Sequence, residues 1–191
     1  MAKLYFKYGA MGSSKTAQAL ITKFNYEERG MRVWLIKPAV DVRDGADILS
    51  SRVGLSSVCT PIDEQTNIIQ SCREKIESCD VIIADECQFF SEDQIDQLRR
   101  IVNTFGIPVL CFGLRTDFTT RLFPGSRRLM EIADEITEIK TMCKCGRKAT
   151  VNARIDSEGN VITKGRRIVL GGDDKYMALC HSCYQRLTEE E

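Results

Sequence analysis

The sequence has no net charge: over its 191 residues, 27 lysines and arginines meet 27 aspartates and glutamates. That balance removes any global field steering the protein onto nucleic acid or an anionic membrane, so such a partner would need a local basic patch. No apolar run approaches the roughly 20 residues that a membrane span requires. The opening MAKLYFKYG lacks the charge, apolar run and cleavage site of a signal peptide. A cytoplasmic protein is therefore expected, with neither membrane nor nucleic acid among its partners. There is no internal repeat, and the one biased tract, Glu189-Glu190-Glu191, reads as a solvated tail. What the chain does have is a composition 43% hydrophobic and 28% charged. That is enough for one good-sized core and excludes disorder as the main state.

Cysteine is abundant, at nine residues, in a chain expected where structural disulfides are rarely supported. The distribution is uneven. Cys143, Cys145, Cys180 and Cys183 fall in the last quarter, while Cys59, Cys72, Cys79, Cys87 and Cys111 lie singly in apolar or helical surroundings, as small buried thiols do.

Four apolar runs read as strands buried on both faces: Leu4–Phe6, Val33–Ile36, Val81–Ala84 and Ile107–Phe112. Helical segments alternate with them, which favours a parallel sheet of βαβ units. Thr16–Arg29 carries Ala17, Leu20, Ile21 and Phe24 and stops at Gly30; Glu64–Ser78 carries Ile68, Ile69, Cys72 and Ile76. Ser91 reads as an N-cap before the stripe Ile95, Leu98, Ile101 and Val102. Val42–Ser57, rich in Gly, Asp and Ser, reads as a loop. From about Met142 the pattern changes to short alternating strands such as Thr150–Ile155, with turns at Glu158-Gly159-Asn160 and Gly171-Gly172.

The first run leads into GAMGSSKT, Gly9 to Thr16. A Walker A loop needs glycines for tight turns, backbone N–H groups facing phosphate, a lysine for the β- and γ-phosphates and a hydroxyl for Mg²⁺. Gly9, Gly12, Lys15 and Thr16 supply these parts between a strand and a helix. The glycine before the lysine is missing: Ser14 stands there. The turn survives this if its backbone avoids glycine-only conformations; the plainer alternative is a loop of small residues covering a helix start. The third run ends in Asp85-Glu86, at the carboxyl end of a strand, where ligands gather in parallel α/β sheets. Such an Asp can hold Mg²⁺ while the Glu acts on the nucleophile. By itself the pair reads equally as a turn, and a phosphate loop about seventy residues upstream favours the functional reading.

The quartet Cys143-x-Cys145 and Cys180-x-x-Cys183 fits a tetrahedral structural Zn²⁺ site of four thiolates, although the first pair has one intervening residue where zinc ribbons usually have two. His181, the only histidine, adjoins a ligand and reads as an exposed bystander or a substitute ligand. A disulfide suits the compartment less well, and a redox pair would more naturally be Cys-x-x-Cys in a thioredoxin-like setting. The clusters Arg99-Arg100, Arg127-Arg128 and Lys164-Gly165-Arg166-Arg167 are diluted by acids and read as solvated faces.

Asp41-Val42-Arg43, Asp85–Phe90, Phe112–Phe118 and Gly171–Tyr176 followed by Cys180 resemble, in order along the chain, the motif set of the zinc-containing thymidine kinases. Leu4–Phe6, Ser51–Ser57 and Cys143–Ala149 are similar to the bacterial branch, which shares the short first cysteine spacing. The fold this resemblance implies is α/β: a P-loop, RecA-like, mostly parallel sheet flanked by helices, with a small C-terminal zinc-ribbon-like domain. Residues 1–141 would be the ATP-binding kinase domain, and 142–191 a zinc-binding domain whose loop covers the substrate. The implied activity is ATP-dependent phosphorylation of the thymidine 5′-hydroxyl. Glu86 would take the hydroxyl proton, and Lys15 and Arg43 would spread charge on the transferred group. Gly9, Ala10, Met11, Gly12, Ser13, Ser14, Lys15 and Thr16, with Asp85, Glu86, Cys87 and Gln88, would hold ATP and Mg²⁺. Met11, Phe89, Leu114, Phe118 and Tyr176 would wall the nucleoside pocket, and Cys143, Cys145, Cys180 and Cys183 would hold Zn²⁺. Relatives assemble as tetramers, and thymidine triphosphate, the end product, is an implied inhibitor. The rival readings are a P-loop ATPase with a zinc ribbon acting on nucleic acid, and a nucleotide-binding module without catalysis.

Overall fold

In a computed structural model, which describes residues 1–165 and 175–189, the apolar runs become strands because only a position with helices on both faces can bury them. They are β1 (Leu4–Tyr8), β2 (Val33–Pro38), and two that lie deeper in the chain. Before those come a hairpin of β3 (Ile48–Ser50) and β4 (Ser56–Val58), and β5 (Thr60–Ile62); β6 (Val81–Ala84), β7 (Val109–Gly113) and β8 (Glu135–Glu138) complete the set. Six of them form one sheet in the order β5-β2-β6-β7-β1-β8, with every pairing parallel. Successive residues of β6 feed opposite layers: Ile82 and Ala84 pack on one face, Val81 and Ile83 on the other. The fold is therefore α/β, a parallel sheet flanked by helices.

Helix α1 (Lys15–Glu27) lies on the Val81 and Ile83 face, where Ala19 and Leu20 meet Leu35, Leu110 and Phe112. Ile21 and Phe24, expected on its buried stripe, are instead 49% and 58% exposed. The helix turns its small residues to the sheet, so that stripe is narrower than the spacing suggests. On the other face, the segment expected as one helix over 64–78 is broken into α2 (Ile68–Ser71) and α3 (Arg73–Ser78). The break falls at Cys72 (φ −119°, ψ 23°), and Asn67 caps α2 by accepting from the Gln70 N–H. Gln97 fixes that start by accepting from the Ile68 N–H at 2.6 Å. Its own helix, α4 (Glu92–Phe105), begins as expected: Ser91 and Gln94 form a reciprocal capping box, and Ile95, Leu98 and Ile101 are wholly buried.

The β3–β4 hairpin, β5, β8 and a fifth helix carry no strong sequence signal. The Val42–Ser57 stretch, expected as a loop, holds β3 and the first two residues of β4. Edge strand β5 contains Pro61, tolerated because an edge needs only one ladder, and edge strand β8 is mostly exposed and polar. Helix α5 (Pro124–Ile132) starts on a proline at its first position.

The expected strand over 150–155 is β9 (Val151–Ile155), central in a three-stranded antiparallel sheet with β10 (Val161–Ile162) and β11 (Tyr176–Leu179). The turn at 158–160 forms, with Gly159 at φ 88°. The expected turn at Gly171-Gly172, the motif residues 171–174, the basic pair Arg166-Arg167 and the tail residues Glu190-Glu191 lie outside the described residues. Helix α6 (His181–Glu189) closes the described chain. Ala149, Ala153, Val161 and Leu179 form a small core with three of the cysteines and with Ala10 of the main unit, so the small sheet seats against the loop after β1.

Gly125 lets α5 approach the turn after β6: a Cβ there would stand 2.5 Å from the Cys87 carbonyl oxygen and 2.7 Å from that of Phe90. Gly125→Ala is expected to destabilise the fold by about 1–3 kcal/mol through overpacking against rigid backbone, read as a lower urea midpoint at unchanged slope. An unchanged midpoint would show that α5 can back away.

Candidate functional site

Strand order builds the site. β7 lies between β1 and β6, so the loop after β1 and the carboxylates after β6 share one end of the sheet, separated by a single strand. Three residues of the first loop have special backbones. At Gly9 a Cβ would meet the Ile139 carbonyl oxygen and the Ser13 hydroxyl, each at 2.4 Å. Gly12 has φ 76°, and Ser14 has φ 59°, ψ 30°. The missing glycine thus occupied a left-handed position, and Ser14 sits in the small left-handed basin open to L-residues. Such a residue is held at a cost of about 1–2 kcal/mol.

Lys15 opens α1 and turns back along the loop, donating to the Ala10 carbonyl at 3.0 Å and the Ser13 hydroxyl at 3.3 Å. Burial pulls its ammonium below the usual lysine value, against the attraction of Glu86 and Asp85. Thr16 donates to Asp85 Oδ2 at 2.7 Å, joining helix α1 to strand β6. Asp85 is almost wholly buried. Burial, then the neighbouring charge of Glu86, push it up to about 7, with the Thr16 hydrogen bond opposing. A divalent cation at that place would favour the ionised carboxylate.

Glu86 follows in a left-handed conformation, φ 51°, ψ 36°, at the entry to a single 3-10 turn over Cys87–Phe89. Two groups hold its carboxylate: Arg43 Nη2 donates to Oε1 at 2.6 Å, and the Gln88 amide donates to Oε2. Gln88 is anchored in turn, its Oε1 accepting from the Leu114 N–H at 2.9 Å. Arg43 also grips Asp41 with two nitrogens, at 2.6 and 3.1 Å. Burial works against the charge of both partners. Their contact outweighs it, lifting Arg43 above the usual arginine value, with help from Glu86, and holding Asp41 below the usual carboxylate range. Arg43 is therefore a member of an Asp41-Arg43-Glu86 chain.

These side chains open onto one cleft of about 760 Å³. Met11, Gly12, Ser14, Lys15, Thr16, Arg43, Glu86 and Gln88 line it, and so do all five expected nucleoside walls, Met11, Phe89, Leu114, Phe118 and Tyr176. Phe123 backs Phe89 edge to face, with ring centroids 5.7 Å apart. Cys87 turns away: it is wholly buried and donates to the Ala84 carbonyl from its Sγ. Gly9, Ala10, Ser13 and Asp85 stand behind the lining.

The four cysteines of the last quarter converge, with ligand atoms all within 4.8 Å of one another, and none is in a disulfide. Cys145 Sγ and Cys180 Sγ are 3.6 Å apart, near the edge of a tetrahedron with bonds of about 2.3 Å. Burial opposes ionisation of Cys143, but the N–H groups of Cys145 and Cys180 outweigh it and hold the thiol down at about 6. The donor set fits a metal ion that prefers thiolate. His181 is exposed and outside the group, its ring centroid 6.4 Å from that of Tyr184.

A family model described as thymidine kinase matches residues 2–184. The chain belongs to the thymidine kinase family. Among relatives named thymidine kinase, that of Agrobacterium fabrum is 45% identical over 182 residues, 94% of each chain. That of Novosphingobium aromaticivorans is 44% identical, over 94% of this chain and 95% of its own. That of Vibrio vulnificus is 42% identical over 97% of each. Among solved structures, a replication initiator DnaA bound to AMPPCP and single-stranded DNA is 19% identical, with a TM-score of 0.46 over 73% of this chain and 41% of its own. At that level the likeness adds nothing to the reading of the site.

Sequence reasoning missed several residues that this member of the thymidine kinase family places on the cleft: Arg52, Thr116, Asp117, Phe123 and Asn152. Arg52 stands in the Ser51–Ser57 motif without an assigned role. For Asn152 a signal existed, a polar residue in an alternating strand, but nothing in the alternation shows that its side chain has a partner in another unit.

Ser14→Gly is expected to stabilise the fold by about 1 kcal/mol by relieving the left-handed backbone, measured as a raised urea midpoint. A fall in the midpoint would show that the Ser14 side chain contributes more than its backbone costs.

Proposed function

We propose that this chain transfers the γ-phosphoryl group of ATP to the 5′-hydroxyl of thymidine. The observation that carries the reading is a single cleft lined both by the phosphate-loop residues Lys15 and Thr16 and by the apolar and aromatic set Met11, Phe89, Leu114, Phe118 and Tyr176, with Glu86 on the same surface. A flat methylated pyrimidine suits apolar walls with few polar contacts. Membership of the family supports the same substrate pair.

In this reading Glu86 accepts the proton of the attacking hydroxyl. Phosphoryl transfer leaves little covalent work to the protein, so a carboxylate oriented by Arg43 and Gln88 acts mainly by position. Lys15 and Arg43 disperse charge on the transferred group. Thr16 and Asp85, already hydrogen-bonded, are the residues that would hold Mg²⁺, which when bound neutralises phosphate charge. The N–H groups of Gly12 and Ser14, on the cleft lining, would face the phosphates, while those of Gly9, Met11 and Ser13 are taken by the Gly113 carbonyl, Asn152 and the Ala10 carbonyl. Cys143, Cys145, Cys180 and Cys183 would hold structural Zn²⁺, and residues 142–191 would form the unit that the metal folds, beside a kinase unit of residues 1–141. The resemblance to family members further supports a cytoplasmic homotetramer and thymidine triphosphate as an inhibitor, which sedimentation and an inhibition assay test.

The deciding assay is ATP turnover with and without thymidine. Formation of thymidine monophosphate is expected; hydrolysis stimulated by single-stranded DNA without that product would sink the reading. Glu86→Gln is expected to slow turnover by about 10²–10⁴-fold while thymidine binding is retained, and near-normal turnover would remove Glu86 from its role. Chelating the metal is expected to lower the melting temperature and weaken thymidine binding; unchanged melting and binding would refute a structural metal.

A further inference from the structure

Asn152, the second residue of β9, sends its side chain out of its own sheet. It is 3% exposed, and a carboxamide buried to this degree is costly unless both ends are paired. Both are paired, to different segments. Oδ1 accepts from the Met11 backbone N–H at 2.7 Å, and Nδ2 donates to the Thr116 carbonyl at 2.9 Å. Met11 belongs to the phosphate loop, and Thr116 to the Leu114–Phe118 segment that supplies two nucleoside walls. One partner is a donor and the other an acceptor, so a flipped amide would satisfy neither, and no apolar or singly functional side chain could replace it. Its own strand is firmly held: Asn152 pairs with Ala178 of β11, and the next pair, Val151 with Leu179, leads to Cys180 of the thiol group. Thr141 adds a second tie from the same side, donating to the Gly12 carbonyl at 3.2 Å.

We propose that Asn152 is a positioning residue that couples the ATP end of the cleft to the nucleoside end. The inference rests on the assignment of those two ends given above. A single amide on a fixed strand sets both the Met11 backbone and the Thr116 backbone. A ligand that orders one segment therefore leaves less to be ordered at the other, which makes the two ligands bind with positive and reciprocal coupling. The cysteine-bearing sheet is then part of the ATP site as well as the nucleoside site.

The test is a calorimetric thymidine titration of the metal-loaded protein, with and without saturating AMP-PNP and Mg²⁺. In the unsubstituted protein thymidine is expected to bind about five-fold or more tightly when the nucleotide analogue is present, the lower range of ordinary coupling. In Asn152→Ala the ratio is expected to fall to about one while bound metal is retained, a change that a general packing defect would not single out. Amide exchange on the unsubstituted protein gives an answer that no folding defect can obscure. AMP-PNP alone should slow exchange at residues 116–118, and thymidine alone at residues 12–15. A protein that binds neither ligand overturns the assignment of the two ends, and the inference with it. Binding of both without coupling, coupling that survives in Asn152→Ala, or exchange at each end indifferent to the ligand at the other overturns the role of Asn152 alone.

Discussion

The site depends on the 2.7 Å hydrogen bond between Thr16 and Asp85. It joins the first turn of the helix that follows the phosphate loop to the end of a strand two places away in the sheet, and it can form only because β7 is interposed between β1 and β6. With the two strands adjacent, the loop would overlie the carboxylates and leave no room for a phosphate chain. With another strand between them, a hydroxyl on α1 could not reach. The parallel sheet matters to function chiefly through this spacing, and the wholly buried Val81, Ile82, Ile83 and Val109 make the spacing rigid.

From that bond the polar groups run outward in sequence. Asp85 is buried beneath the cleft, Glu86 is the first carboxylate to reach it, and Arg43 and Asp41 extend the chain into the loop after β2. The aromatic residues of the cleft come from elsewhere, from the turn after β6 and the segment after β7, so in the proposed function phosphate chemistry and recognition of a flat base would meet where strand ends converge. The small sheet closes the third side through Asn152, and Thr141, in the segment after β8, ties the Gly12 carbonyl beside it.

What was legible in the sequence follows from this division. The buried strands and α4 were readable because burial on both faces, or on one stripe with a capping box, leaves a repeating apolar pattern. The phosphate loop, the Asp85-Glu86 strand end and the cysteine quartet were readable because their chemistry fixes residue type and spacing. The elements that were missed lack any such pattern: β8 is an exposed edge, α2 and α3 are separated by a break with no Gly or Pro, and α5 starts on a proline that reads equally as a turn. Arg43 could be named, but its grip on Asp41 and Glu86 is a tertiary fact. The exposure of Phe24 was misjudged for the same reason, since periodicity gives the face of a helix and the neighbours decide how wide that face is.

Among the described residues three non-glycine residues have positive φ: Ser14, Glu86 and Thr120. Two of the three line the cleft, Ser14 at the start of α1 and Glu86 just after β6. At Ser14 the strained turn starts α1; at Glu86 it turns a carboxylate out of the strand line and into the reach of Arg43. Both conformations are ones that an L-residue leaves readily unless its surroundings fix it. At Glu86 the fixing groups are visible, Arg43 and Gln88 on the carboxylate and Gly113 leaving space for Gln88, where a Cβ would stand 2.7 Å from its Oε1. At Ser14 no side-chain cap helps, so the conformation is held by the hydrogen bonds of its neighbours, Lys15 back to Ala10 and Thr16 across to Asp85. The bond that spaces the site is thus also one that keeps its glycine-poor loop in shape.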